Sequence, residues 1–82
     1  MQTPPAVATL AEASRALWLA TLSLMTAFMH LQAPAHRYLL ARRIARNLRT
    51  LGEQECFNAD CRRTFERLGA RWEGKAQRFK PA

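Results

Sequence analysis

Apolar residues recur between Leu10 and Leu31 with the spacing of an α-helix. Leucine returns every seven residues, and alanine stands three places after the first three leucines: Leu10, Leu17, Leu24, Leu31, Ala13, Ala20 and Ala27. This heptad pattern predicts a helix that packs along another helix, with alanine allowing close approach. A second apolar row lies about a quarter-turn away and comprises Trp18, Leu22, Met25 and Met29. The narrow polar strip left between them, interrupted by Leu19, holds Glu12, Arg15, Ser23, Thr26 and His30.

The ends of this first helix are predicted from capping residues and prolines. Thr9 and Glu12 have the spacing of a capping box, so the helix should start at Leu10. Pro34 disfavours helical geometry in the residue before it, so the helix should end near Gln32. Residues 1–8, which contain Pro4 and Pro5, are expected to form a flexible lead-in.

A second helix is predicted over residues 35–51, with one apolar and one basic face. Its apolar stripe consists of Leu40, Ala41, Ile44, Leu48 and Leu51. Arg42, Arg46 and Arg49 lie on the opposite side, with Arg43 flanking them. Gly52 stands where a glycine commonly ends a helix.

A third helix is predicted over residues 60–79, capped by Asp60 or Asn58. Its apolar edge consists of Cys61, Phe65, Leu68, Trp72 and Phe79. Gly69 and Gly74 are expected to fall off this edge. With no strand-like alternation in the chain, the prediction is an all-α fold, a small up-down-up three-helix bundle that forms one domain over residues 1–82.

The basic residues are unevenly distributed. Residues 1–36 carry only Glu12 and Arg15, so residues 37–82 carry the whole formal net charge of +7. This asymmetry favours a polyanionic partner, either nucleic acid or anionic lipid, although a solvated basic face is the simpler interpretation. The candidate polyanion-binding residues are Arg42, Arg43, Arg46 and Arg49. No helix-turn-helix signature is evident and only Tyr38 lies beside the stripe, so phosphate contact is predicted rather than base stacking.

The first helix also raises the question of a membrane span. No formal charge lies between Arg15 and Arg37, a stretch long enough to cross a bilayer. Thr21, Ser23 and His30 instead favour a helix with one edge in water. We expect a cytoplasmic protein; the alternative is a membrane protein with a cytoplasmic C-terminal part.

The residue types of a zinc site are present but distributed over two connections. His30 and His36 flank the first connection, whereas Cys56 and Cys61 flank the second. In the predicted bundle these connections lie about 24 Å apart at opposite ends of the second helix, which excludes a shared metal. The two cysteines are expected to be buried thiols, with a disulfide between them left open.

No catalytic arrangement is found. Glycine occurs only at positions 52, 69 and 74, so no phosphate-binding loop can be formed. No pair of acids and no Ser–His–Asp set is placed for catalysis. Met25 and Met29 are one turn apart, a spacing more typical of packing than of ligation. We therefore expect a protein without enzymatic activity, cofactor or small-molecule substrate.

The leading functional hypothesis is a helical interaction protein that packs against itself or a protein partner. The first helix is apolar around about two-thirds of its circumference, more than two narrow-striped neighbours can cover. The candidate interface is therefore the second apolar row, Trp18, Leu22, Met25 and Met29. A homodimer is the predicted assembly, because two-fold pairing is the commonest way to bury such a row. The alternatives are a nucleic-acid-binding module that uses the arginine face and a single-span membrane subunit.

Overall fold

Three helices form the fold, described by a computed structural model over residues 5–82, with side chains from residue 9 onward. The helices are α1 (Pro5–His30), α2 (Pro34–Gly52) and α3 (Ala59–Arg78). α1 and α3 run in the same direction, because Trp18 contacts Phe65 and the later residue Phe28 contacts the later residue Phe79. The predicted all-α, up-down-up bundle is confirmed.

α1 begins earlier than the sequence pattern predicts. Its first helical residue is Pro5 rather than Leu10, so Thr9 lies within the helix and the predicted start at a capping box is wrong. Proline suits the first helical position, because its fixed φ is already helical and its missing N–H needs no partner there. The predicted flexible lead-in includes residues 1–4, which lie outside the described residues. α1 ends at His30, two residues before the predicted end.

The ends of α2 and α3 lie within one residue of the predicted ones. Pro34 opens α2 after the extended residue Ala33, and Gly52 is the last residue of α2. Asn58 caps α3 because its Oδ1 accepts a hydrogen bond from the Cys61 backbone N–H at 2.8 Å. Of the two caps that the sequence allowed, Asn58 is therefore the one used.

The buried face of α1 differs from the predicted one. From residue 9 onward, its buried residues are Ser14, Thr21 and Phe28, spaced seven apart, whereas all three heptad alanines are exposed. Thr21 is accommodated because its Oγ1 donates a hydrogen bond to the Leu17 carbonyl oxygen at 2.7 Å. The prediction that alanines give the close approach is therefore wrong, and small hydroxyl residues take that position.

α2 and α3 approach closely through small residues. Gly69 lies against the Ala45 carbonyl, where a built Cβ atom would stand 3.5 Å from the oxygen. A Cβ atom on Gly52 would stand 3.3 Å from the Arg62 carbonyl oxygen and 3.0 Å from Cγ of Glu66. The prediction that Gly69 falls off the packing face is wrong, because a helix packed this closely uses glycine on its contact face.

The core is formed by the predicted stripe of α2 together with aromatic rings. Ala41, Ile44, Leu48 and Leu51 of α2 are completely buried, which confirms that stripe. Aromatic side chains from α1 and α3 pack edge to face on it, with Trp18–Phe65 centroids 5.0 Å apart and Phe28–Trp72 centroids 5.1 Å apart. Within residues 5–82, no helix is long and apolar enough to cross a membrane.

Candidate interaction surfaces

The predicted interface row on α1 divides into two pairs. Trp18 and Met25 are half-buried and pack against the core, whereas Leu22 and Met29 are exposed. The two exposed residues each follow a half-buried one by four positions, so they lie beside it on the edge of the helix. The sequence pattern placed all four residues on one row, and only the tertiary structure distinguishes core from surface.

An open apolar groove separates α1 from α3. Over the described residues, no Cα atom of α1 comes within 8 Å of one in α3, although both helices approach α2 more closely. Large rings span the gap, and beside them lies a depression of about 320 Å³, lined by Trp18, Asp60, Cys61, Thr64, Phe65 and Leu68. We name this depression the α1–α3 groove. Leu22 and Met29 are exposed one helical turn after the half-buried Trp18 and Met25, and we name these two exposed residues the groove-edge residues.

α1 also carries most of the exposed apolar side chains. Of the five large hydrophobic residues exposed in the described part of the chain, Leu10, Leu19, Leu22 and Met29 belong to α1, and only Leu39 belongs to α2. Met29 is the most accessible of them, at 76% exposure. The charged residues of α1 are Glu12 and Arg15, whose formal charges cancel. The outer surface of α1 is therefore apolar and electrically neutral.

The four candidate arginines of α2 are all exposed, but their surroundings differ. Arg42, Arg43 and Arg46 surround a depression of about 440 Å³ that is completed by Leu39 and Asn47. Its lining contains no carboxylate. We name these three residues the arginine cluster.

Two of the four candidate arginines, Arg42 and Arg49, have side-chain partners within the protein. Arg49 forms an ion pair with Glu73 of α3, and this pair lines a second depression together with Arg42 and Arg46. Arg42 is oriented by Tyr38, since its Nη1 donates to the Tyr38 hydroxyl at 3.2 Å and its guanidinium lies over the ring. Arg42 thus keeps most of its N–H groups available, whereas Arg49 is partly neutralised.

The net charge is concentrated in one half of the bundle, a feature that linear sequence analysis missed. Gly69 packs beside Ala45 and Arg49, so residues 34–46 and 70–82 share one half of the antiparallel pair. We name this the basic half. Its one acid is Glu73, and its eight basic residues are Arg37, Arg42, Arg43, Arg46, Arg71, Lys75, Arg78 and Lys80.

The other half of the molecule is charge-balanced. Residues 47–69 contain four basic and four acidic side chains, and Glu12 and Arg15 of α1 cancel. The basic half therefore accounts for the entire formal net charge of +7. The basic half could have been predicted from the sequence, by combining the positions of the charged residues with the predicted antiparallel arrangement of the second and third helices.

Two arginines serve the interior rather than the surface. Arg37 donates from Nε to the Leu31 carbonyl oxygen at 2.5 Å, and its guanidinium lies 5.4 Å from the ring centroids of both Phe28 and Phe79. It therefore links the α1–α2 connection to the end of α3. Arg62 is half-buried, and its Nε is shielded from solvent without a hydrogen-bond partner among the described residues.

The histidines and cysteines lie at opposite ends of α2. His30 and His36 flank the α1–α2 connection, whereas Cys56 and Cys61 flank the α2–α3 connection. Both cysteines are free and exposed, so the expectation of buried thiols is wrong. Cys61 lies at the rim of the α1–α3 groove. Within the described residues, no three His, Cys, Asp or Glu side chains come together as metal ligands.

The two candidate interaction surfaces are the mainly apolar α1–α3 groove and the arginine cluster. The first is formed by α1 and α3, and the second lies on the outer face of α2. Comparison with protein-family models, curated protein sequences and solved structures finds no significant match for this chain.

Proposed function

We propose that this protein is a non-enzymatic interaction protein that works by helix packing, and that a second copy of the chain occupies the α1–α3 groove. The observation that carries the proposal is the open gap between α1 and α3, together with the exposed Leu22 and Met29, which follow the half-buried Trp18 and Met25 by one helical turn. Exposed apolar surface of this kind is uncommon on monomers and common at interfaces.

The charge distribution favours α1 as the surface through which two copies meet. Each chain carries a formal charge of +7, so most ways of pairing two copies bring like charges together. The outer surface of α1 is neutral, because Glu12 and Arg15 cancel. A two-fold pair through α1 places the arginine clusters away from the interface and buries the exposed leucines and methionine.

Sedimentation velocity over micromolar concentrations tests the proposal. The wild-type chain is expected to form a dimer. Leu22→Ser combined with Met29→Ser should raise the dimer dissociation constant by tenfold or more, because each side chain loses apolar burial and every 1.4 kcal/mol is about tenfold. Raising the salt concentration should leave the dimer intact, since the contacts are mainly apolar and Asp60 is the one charged residue in the lining of the groove.

Leu39→Ser is the matched control, because Leu39 is as exposed as the groove-edge residues but lies on α2. It should leave the dissociation constant unchanged. A wild-type chain that stays monomeric would reject the homodimer, and the same surface would then have to be assigned to a different protein. A dimer that is insensitive to the double substitution would reject the groove as the interface.

A further inference from the structure

The distribution of charge over the bundle supports a second surface, independent of the groove. We infer that the basic half binds the phosphodiester backbone of double-stranded nucleic acid, centred on the arginine cluster Arg42, Arg43 and Arg46. The juxtaposition that supports this inference is an acid-free depression ringed by three exposed guanidinium groups, within a half that carries the whole net charge.

The spacing of the arginine cluster suits a chain of phosphates. Arg42 and Arg46 are one helical turn apart, which is about 6 Å along α2, and Arg43 lies between them in height. The planar guanidinium group binds a phosphate through two parallel N–H donors. Tyr38 holds Arg42 in place, so less side-chain freedom is lost when Arg42 binds. Asn47 adds an amide to the same depression.

The basic half also contains exposed cations beyond α2. These are Arg71, Lys75, Arg78 and Lys80, of which Lys75 has its Nζ 5.6 Å from the ring centroids of Phe28 and Trp72. Glu73, the one acid in this half, is paired with Arg49. The corresponding cations of the balanced half have acidic neighbours, as in the Arg63–Asp60 ion pair. The affinity for duplex nucleic acid should therefore depend on where the arginines lie in the molecule, and not on their number alone.

The placement of the aromatic rings favours a duplex over a single strand. Trp18 packs on Phe65 and Phe28 on Trp72 between α1 and α3, and the half-buried ring of Tyr38 beside the arginine cluster is covered by the Arg42 guanidinium. Recognition of single strands uses exposed rings on which bases stack. An anionic membrane is less well matched, because the lining of the arginine cluster contributes only Leu39 as an apolar side chain for insertion.

Fluorescence anisotropy with labelled random-sequence DNA duplexes of about 20 base pairs tests the inference, with salt varied from about 50 to 200 mM. Binding should be sequence-independent and should weaken linearly in a log–log plot against salt. Replacing Arg42, Arg43 and Arg46 with glutamine should weaken binding tenfold or more. It should also flatten the salt slope by about 2.7, because each phosphate contact contributes about 0.9. Circular dichroism checks that the variant remains folded.

The matched control replaces Arg15, Arg63 and Arg67 with glutamine, which removes the same charge from exposed positions outside the basic half. This control should keep the wild-type slope and bind within about twofold of it. An equal loss in both triple variants would overturn the inference, because net charge alone would then explain binding. Stronger retention on phosphatidylserine vesicles than on duplex, abolished by Leu39→Ser, would overturn it in favour of a lipid surface.

Discussion

α3 packs against α2 and against α1 at different backbone distances. Against α2, glycine and alanine bring the backbones together, so that the Ala45 carbonyl lies beside Gly69. Against α1, the backbones stay apart and rings span the gap, as in the Phe28–Trp72 and Trp18–Phe65 pairs. Adding side-chain atoms should therefore disrupt the α2–α3 contact, whereas removing side-chain atoms should disrupt the α1–α3 contact.

This difference explains which surfaces of the molecule can take part in interactions. Close backbone packing between α2 and α3 leaves no large apolar side chain of α3 exposed, and the depressions along their contact are lined mainly by charged and small residues. The ring-spanned contact leaves a groove, because a few large side chains cannot fill the whole length between two helices. Interaction by apolar packing is therefore expected at the α1–α3 groove, and interaction with phosphates on the outer face of α2.

Phe28→Ala should have the largest effect on the α1 side of this comparison. Phe28 is 6% exposed and contacts Trp72, Phe79 and the Arg37 guanidinium. Its truncation should lower the free energy of unfolding by about 3–5 kcal/mol, the usual cost of removing a buried ring. Urea denaturation followed by tryptophan fluorescence measures it. The exposed Leu19→Ala is the control and should change stability by less than about 0.5 kcal/mol.

A loss below about 1 kcal/mol for Phe28→Ala would contradict the role of the rings, because it would mean that α1 is held elsewhere. If instead helical circular dichroism persists while the tryptophan signal is lost, α1 has detached from an intact α2–α3 pair. That outcome would show that the α1–α3 contact is less stable than the α2–α3 contact.

Alanine at Gly52 and at Gly74 should shift stability in opposite directions. At Gly52 a Cβ atom would stand 3.3 Å from the Arg62 carbonyl oxygen, so the close α2–α3 contact must open, at a cost of about 1 kcal/mol. At Gly74 no atom lies within 4 Å of a built Cβ, so alanine should stabilise α3 by about 0.8–1 kcal/mol. Thermal melts compare the two variants. The same sign of shift for both would show that intrinsic helix propensity outweighs packing at this contact.

The Arg49–Glu73 ion pair should have the smallest effect. It joins α2 to α3, but its side chains are 63% and 53% exposed. A double-mutant cycle with Arg49→Gln and Glu73→Gln should give a coupling of about 0.2–1 kcal/mol that falls as salt rises. A coupling of about 2 kcal/mol or more is expected only for buried ion pairs. Such a value would mean that charge rather than close packing holds α2 to α3.

Much of the fold was predictable because periodicity is a local property of a helix. The stripe Leu40, Ile44, Leu48 and Leu51 admits one buried face, and that face is the one observed. α1 was harder, since it is apolar around most of its circumference and several neighbouring rows qualify as the contact face. The observed row, Ser14, Thr21 and Phe28, contains two hydroxyl residues that a hydrophobic pattern passes over.

The candidate sites were predicted in part for the same reason. Exposure of Arg42, Arg43, Arg46 and Arg49 follows from their position opposite the apolar stripe of α2. That Arg49 pairs with Glu73 could not be predicted, because the two residues are 24 positions apart and their proximity depends on the register of two helices. The exposed state of Cys61 likewise depends on how far α1 stands from α3.

The sequence by itself determined three helices, their approximate ends and the basic character of one helix face, because helical periodicity, capping and charge are local. Only the tertiary structure decided which side of α1 is buried and which members of the row from Trp18 to Met29 remain exposed. These features depend on the register and distance between helices. Distance is determined by the size of the side chains that meet, glycine between α2 and α3 and aromatic rings between α1 and α3.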